Sequence, residues 1–194
     1  IRLPESIPDS RLATLVDPGF AEMLLGFPIG AALTILNPRS KFRRALQGSV
    51  IAHDEQRIYA RSLEIPAGGG VGTARAIAKA YGVFATGGKE LGLQPETLEE
   101  LAAPARPSAH GFYDECIKGE AKFSLGFMKS CEGFPFGSPE AFGAPGAGGS
   151  LGFADPETRI GYGYVPNRKG TALSGDPRDV ALREALYSVI PVAV

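Results

Sequence analysis

The chain has 194 residues, with 20 basic and 21 acidic side chains and a net charge of −1, a length that can bury a full core within one domain of ~100–200 residues. Acidic and basic residues are interleaved, so nucleic acid or an anionic membrane surface is not an expected partner, and no apolar run approaches the ~20 residues of a membrane span. Two cysteines, Cys116 and Cys131, make neither a disulfide framework nor a metal cluster of about four ligands; no metal or cofactor is expected, and cysteine usage leaves the compartment open with only a weak lean to the cytoplasm.

Residues 1–118 read as helix and loop. Arg39, Lys41, Arg43 and Arg44 follow Pro38 and Ser40 and read as the solvated face of a capped helix start rather than a phosphate patch. A glycine-rich loop from Ala67 to Gly72 feeds Thr73, an N-cap, and a helix follows with Ile77, Tyr81 and Phe84 on one face. Gly87 and Gly88 end that helix. Pro95 suits a first helical position, with Glu96 and Glu99 near the positive helix start and Leu98, Leu101 and Ala102 as its apolar face, and Pro104 stops it.

Residues 119–194 read as an antiparallel sheet closed by a helix. Phe123, Leu125 and Phe127 alternate with Ser124, Gly126 and Met128, which predicts one strand. Leu151 and Phe153 form one face of the next strand and Gly152 and Ala154 the other. Asp155-Pro156-Glu157-Thr158 has the residues of a type I turn. Ile160, Tyr162 and Tyr164 continue beyond it, with Gly161 and Gly163 on the opposite face, where a helix or backbone could approach closely. Asp176 and Pro177 start a last helix, whose stripe of Leu182, Leu186, Val189 and Ile190 is expected to lie on the sheet. The intervening stretch from Ser130 to Gly149 carries enough aromatic residues to pack rather than stay disordered.

Free-standing catalytic motifs are scarce. Gly68-Gly69-Gly70-Val71-Gly72-Thr73 precedes a helix but lacks the Lys-Ser/Thr of a phosphate-binding loop. His53 and His110 are isolated and read as surface or turn residues. Neither cysteine neighbours a histidine or a helix start that would activate it.

Several segments together resemble the serine β-lactamase-like hydrolases, the family of class C β-lactamases, DD-peptidases and related esterases. In family order they are Ile1–Glu5, Ile65–Arg75, Gln94–Leu98, Phe123–Phe127, Gly148–Pro156 and Tyr164–Arg168. The resemblance implies an α/β fold of the α+β type, an antiparallel sheet with the C-terminal helix packed on it. It also implies nucleophilic acyl transfer: a serine in S-x-x-K attacks a carbonyl, its lysine and a tyrosine in Y-x-N move protons, and K/H-x-G lines the opposite strand. No serine here has lysine three residues on, and no tyrosine has asparagine two residues on. The resemblance therefore suggests the C-terminal half of such a domain, inactive alone, whose partner is the other half or a separate chain. The K/H-x-G position is occupied by Ala144, Pro145 and Gly146, and Ala147 follows as a possible backbone donor to an oxyanion. A catalytically degenerate binding module of the same fold is the alternative.

Overall fold

The structure, a computed structural model, describes residues 3–19, 22, 26, 33, 37–41, 44, 70–115, 118–172 and 175–190. His53, Cys116 and Arg43, and Ile65–Gly69 of the glycine-rich segment, lie outside the described residues. Helix α1 spans Ala74–Ala85, its start fixed by the Thr73 hydroxyl, which accepts the Ala76 N–H at 3.2 Å. It ends where Gly87 and Gly88 take φ of 107° and 66°, and the Gly88 N–H reaches back to the Val83 carbonyl at 2.8 Å. Helix α2, Pro95–Ala102, starts with proline at its first turn and stops as Ala103 turns extended ahead of Pro104.

Two short strands, β1 (Tyr113–Asp114) and β2 (Gly119–Glu120), form an antiparallel ribbon. The main sheet is antiparallel in the order β3-β4-β5-β6-β7, comprising Phe123–Ser124, Phe127–Lys129, Phe142–Pro145, Leu151–Asp155 and Ile160–Tyr164. The expected single strand over residues 123–128 is instead the β3–β4 hairpin. Leu125 and Gly126 both adopt positive φ, 46° and 86°, and Ser124 pairs with Phe127 across them. Two left-handed residues in succession give the turn whose twist suits a two-residue hairpin, and the alternating pattern conceals it because the flanking residues keep their period.

Strand β6 is buried on both faces. Leu151 and Phe153 join Met128, Phe136 and Ala141 on one side, while Ala154 joins Phe142, Ala85 and Leu101 on the other. Phe153 is stacked between Phe136 and Tyr162, with ring centroids 5.9 and 5.0 Å away. Helix α1 lies on the second face against the glycines of β6 and β7. A β-carbon on Gly161 would lie 2.1 Å from the Gly82 nitrogen and 2.3 Å from the Ala78 oxygen. One on Gly163 would lie 2.6 Å from the Ala74 oxygen, and one on Gly152 2.4 Å from the Tyr81 ring. The close approach expected at these small residues is present, and α1 makes it.

Helix α3, Pro177–Val189, is capped by Asp176, which accepts the Arg178 N–H at 3.0 Å. Of its expected stripe, Leu186 and Ile190 are half-buried, but Leu182 and Val189 do not meet the sheet: they are 52% and 77% exposed. The buried face carries Asp179 and Arg183. Asp179 accepts hydrogen bonds from the Arg183 Nε at 2.8 Å and the Tyr162 hydroxyl at 2.9 Å. Arg183 Nη1 donates to the Pro135 and Phe136 carbonyls at 2.7 and 3.0 Å. The surface under α3 offers loop carbonyls and a tyrosine hydroxyl, so a charged face that satisfies them displaces the apolar one. Burial and the Asp179 carboxylate together push the Tyr162 hydroxyl well above its usual range.

Two further buried charges fasten the layers. Lys129 donates its ammonium to the Leu101, Ala102 and Glu140 carbonyls, so β4 caps the C-terminus of α2; burial pushes its pKa down to about 8, opposed by Glu140. Asp155 accepts from the Ser138 N–H and hydroxyl at 3.0 and 2.7 Å, and from the Tyr187 hydroxyl at 2.6 Å. Burial pushes this carboxyl up, but the hydrogen bonds from Tyr187 and Ser138 outweigh it and hold it below its ordinary value.

Two outcomes follow. Gly161→Val should destabilise the chain by at least ~2 kcal/mol in urea titrations, because backbone on the α1 side cannot yield, whereas Gly119→Ala, with open space around its α-carbon, should leave the midpoint unchanged. Because the Asp155 pKa is depressed, the stability it contributes is present above the ordinary carboxylate pKa of ~3.9 and is lost as pH falls through the lower folded value. Asp155→Asn should therefore be less stable than wild type at neutral pH, with the gap narrowing toward pH ~2–3, as measured by unfolding across that range.

Candidate functional site

The candidate site is the hairpin between β5 and β6. Strand β5 enters with Phe142 fully buried in the α1 side of the core, and the strand period of two returns Ala144 to the same face. Ala144 pairs with Gly152 and Pro145 with Leu151, after which the strands part. The Gly146 N–H donates to the Ser150 carbonyl at 2.7 Å and the Gly149 N–H to the Gly146 carbonyl at 3.1 Å, closing a tight loop. Gly148 and Gly149 hold φ of 85° and 93°, a backbone that favours glycine.

The four residues expected at the site are contiguous at one end of the sheet. Ala144 and Ala147 are exposed, and Pro145 and Gly146 are half-buried. Among the described residues no hydrogen bond engages the Ala147 N–H. The pairing of Met128 with Gly143 and Lys129 with Phe142 puts the β3–β4 turn at the Pro145 end of β5. Leu125, 58% exposed in that turn, thus belongs to the same end of the sheet. Reading residues 123–128 as one strand hides this residue; its Leu-Gly pair between two aromatic-bearing segments is the signal that could have found it.

The loop leans on residues 167–170. The Gly170 N–H donates to the Gly148 carbonyl at 2.8 Å. That segment is itself paired with Val16: the Val16 N–H donates to the Asn167 carbonyl at 2.8 Å, and the Lys169 N–H to the Val16 carbonyl at 2.9 Å. Lys169 pairs with Asp17 and Arg168 with Glu22, each at 2.9 Å. The Gly19 N–H and then the Arg168 guanidinium hold the Glu22 carboxyl below its usual range. Ala144, Pro145, Gly146 and Ala147 add no charge of their own, so the hairpin presents backbone dipoles and small apolar groups.

The remaining candidates lie elsewhere. His110 is exposed, and its N–H donates to the Ser108 hydroxyl within a turn. Cys131 is half-buried and exchanges backbone hydrogen bonds with Phe134. Among the described residues no group of three or more histidine, cysteine or acidic side chains could hold a metal ion, and no helix is long and apolar enough to cross a membrane.

The chain is similar in sequence and fold to known proteins. EstA from Arthrobacter nitroguajacolicus Rue61a superimposes with a TM-score of 0.73 at 30% identity, over 97% of this chain and 48% of that one. A penicillin-binding protein homologue from Caulobacter crescentus gives 0.63 at 32% identity, over 75% and 39%, and a family VIII carboxylesterase 0.58 at 36% identity, over 71% and 36%. The esterase/beta-lactamase LipL of Mycobacterium tuberculosis is 38% identical over 106 residues, 54% of this chain and 24% of its own length. The chain thus spans about a quarter of that curated relative and less than half of each of these solved chains. The family model for beta-lactamase matches residues 10–187, from ahead of the Val16 pairing to within α3, and the chain belongs to the β-lactamase family of hydrolases.

Proposed function

We propose that this chain forms one wall of the cleft of a serine acyl-transfer hydrolase, an esterase or β-lactamase relative, and that the attacking serine and its proton handlers come from sequence outside these 194 residues. The observation that carries this reading is the β5–β6 hairpin, built and exposed at its tip in a sequence with no S-x-x-K and no Y-x-N. In the completed site the serine oxygen attacks the substrate carbonyl carbon, and its proton passes to the lysine–tyrosine pair. The carbonyl oxygen becomes an oxyanion, and the Ala147 N–H donates to it. The intermediate then collapses to an acyl-enzyme as the lysine–tyrosine pair returns the proton to the departing alkoxide, which leaves as the alcohol, and water hydrolyses the acyl-enzyme. Ala144 supplies neither charge nor hydrogen bond, so this wall suits an ester with a neutral acyl group better than a substrate needing a cation opposite its carboxylate. Pro145 and Gly146 shape the strand exit.

The partner in this reading is the other half of the domain, on the same polypeptide or a separate one. Two surfaces support it. Strand β7 ends the sheet among the described residues, and α3 leaves Leu182 and Val189 exposed; such an edge and such apolar residues favour association. Ala144 also favours a second reading, a binding module whose cleft is kept without chemistry.

The 194-residue chain alone should show no steady turnover of p-nitrophenyl butyrate. A polypeptide extended to include an S-x-x-K segment should hydrolyse it and lose that activity to a serine-directed acylating agent. Steady turnover by the 194-residue chain, abolished by the same agent, contradicts the reading. An extended polypeptide that carries S-x-x-K and binds the ester without turning it over supports the binding module.

A further inference from the structure

We infer that Asp176, gripped by Arg178, is the positioning residue for the Gly146–Ser150 loop and so for the aim of the Ala147 N–H; its catalytic consequence rests on the reading above, its structural part does not. Asp176 is only 3% exposed. Its Oδ1 accepts the Arg178 N–H at 3.0 Å and Nε at 2.9 Å, and its Oδ2 accepts Nη2 at 2.6 Å. Capping α3 needs one oxygen and one backbone N–H, which serine or asparagine would also supply. A buried carboxylate with a two-pronged guanidinium partner exceeds that need and carries a desolvation cost.

The second oxygen shows what the excess does. Oδ2 lies 2.5 Å from where a β-carbon on Gly149 would be, and 2.4 Å from where one on Gly170 would be. Those glycines sit on the two backbone segments that the Gly170 N–H to Gly148 carbonyl bond joins. One carboxylate therefore fills the space beneath both. Gly170 has no positive φ, so space rather than backbone conformation makes glycine necessary there. The guanidinium completes the circuit, since Arg178 Nη1 donates to the Arg168 carbonyl at 3.0 Å. The loop is thereby referred to the first turn of α3, and Ala147 stands two residues before Gly149. A donor aimed at a developing oxyanion acts through its direction, and a small displacement weakens it.

The test uses Asp176→Ser, which keeps an N-cap oxygen and removes the filling carboxylate. Hydrogen exchange on the 194-residue chain should quicken by about tenfold or more at the Gly149 and Gly170 amides, whose hydrogen bonds to the Gly146 and Gly148 carbonyls hold the loop, with the β6 amides of Phe153 and Ala154 unchanged. Gly170→Ala should destabilise the wild-type background and cost much less when combined with Asp176→Ser. In the extended, ester-hydrolysing polypeptide, Asp176→Ser should lower kcat by about tenfold with little change in KM, the pattern of an interaction realised in the transition state. Should Asp176→Ser fail to fold, Arg178→Lys, which keeps the charge and loses the fork, should give the same pattern more weakly. Loop exchange that stays unchanged or rises equally with β6, or a Gly170→Ala cost independent of Asp176, overturns the clamp. Loop exchange that rises while kcat holds overturns the positioning role. If the extended wild-type polypeptide shows no ester turnover, the functional reading fails, and exchange and the double-mutant cycle still decide the clamp.

Discussion

The contact of Gly161 with the backbone of α1 at Ala78 and Gly82 sets the distance between helix and sheet, and much of the molecule is arranged around that distance. With no side chain between them, α1 approaches β6 and β7 closely enough for its own aromatic residues to reach the neighbouring strands. Phe84 meets Phe127 and Phe142 edge-on at 5.7 and 6.1 Å, and Tyr81 meets Phe127 at 6.3 Å. Phe127 and Phe142 are in turn 5.4 Å apart. This cluster holds the first residue of β5, two positions ahead of Ala144, so the glycine contact reaches the candidate cleft through packed rings rather than through the loop.

The opposite face is held by different physics. Asp155, Asp179 and Arg183 are all buried beneath α3. Each finds its hydrogen-bond partners in the sheet, the 130–141 loop or the helix itself. Such groups stabilise little in net terms once desolvation is counted, but removing one partner leaves the others stranded. They favour one placement of α3 over others that an apolar stripe alone would tolerate. They also leave Leu182 and Val189 free for an outer contact.

Much of this was legible in the sequence where a residue acts locally. Thr73, Gly87, Gly88, Pro95, Pro104 and Asp176 each mark a helix end through their own backbone preferences, and the structure keeps all of them. The glycines of β6 and β7 could be read as a face for close approach because period two separates them from their bulky neighbours. The β3–β4 turn was hidden because a two-residue hairpin preserves alternation on either side of it. The exposure of Leu182 and Val189 on α3 was hidden because hydrophobicity alone does not reveal the Pro135 and Phe136 carbonyls and the Tyr162 hydroxyl that receive Arg183 and Asp179. At the site, Ala144 was legible as a chemically silent residue in a position the family resemblance marks as basic. The relation of Asp176 to Gly149 and Gly170 was not, since only folding brings a helix cap beneath two distant glycines.

The function proposed above makes this chain a wall without an attacking group: β5 and its loop are held from both faces, and the residues at the hairpin tip carry backbone and methyl groups. The direct measurement is intact mass after exposure to a serine-directed fluorophosphonate, first of the 194-residue chain alone and then of the chain mixed with a separately expressed segment carrying S-x-x-K. The account predicts an unmodified 194-residue chain in both samples, with the adduct on the serine of the added segment. A stoichiometric adduct on a serine within the 194 residues would contradict it.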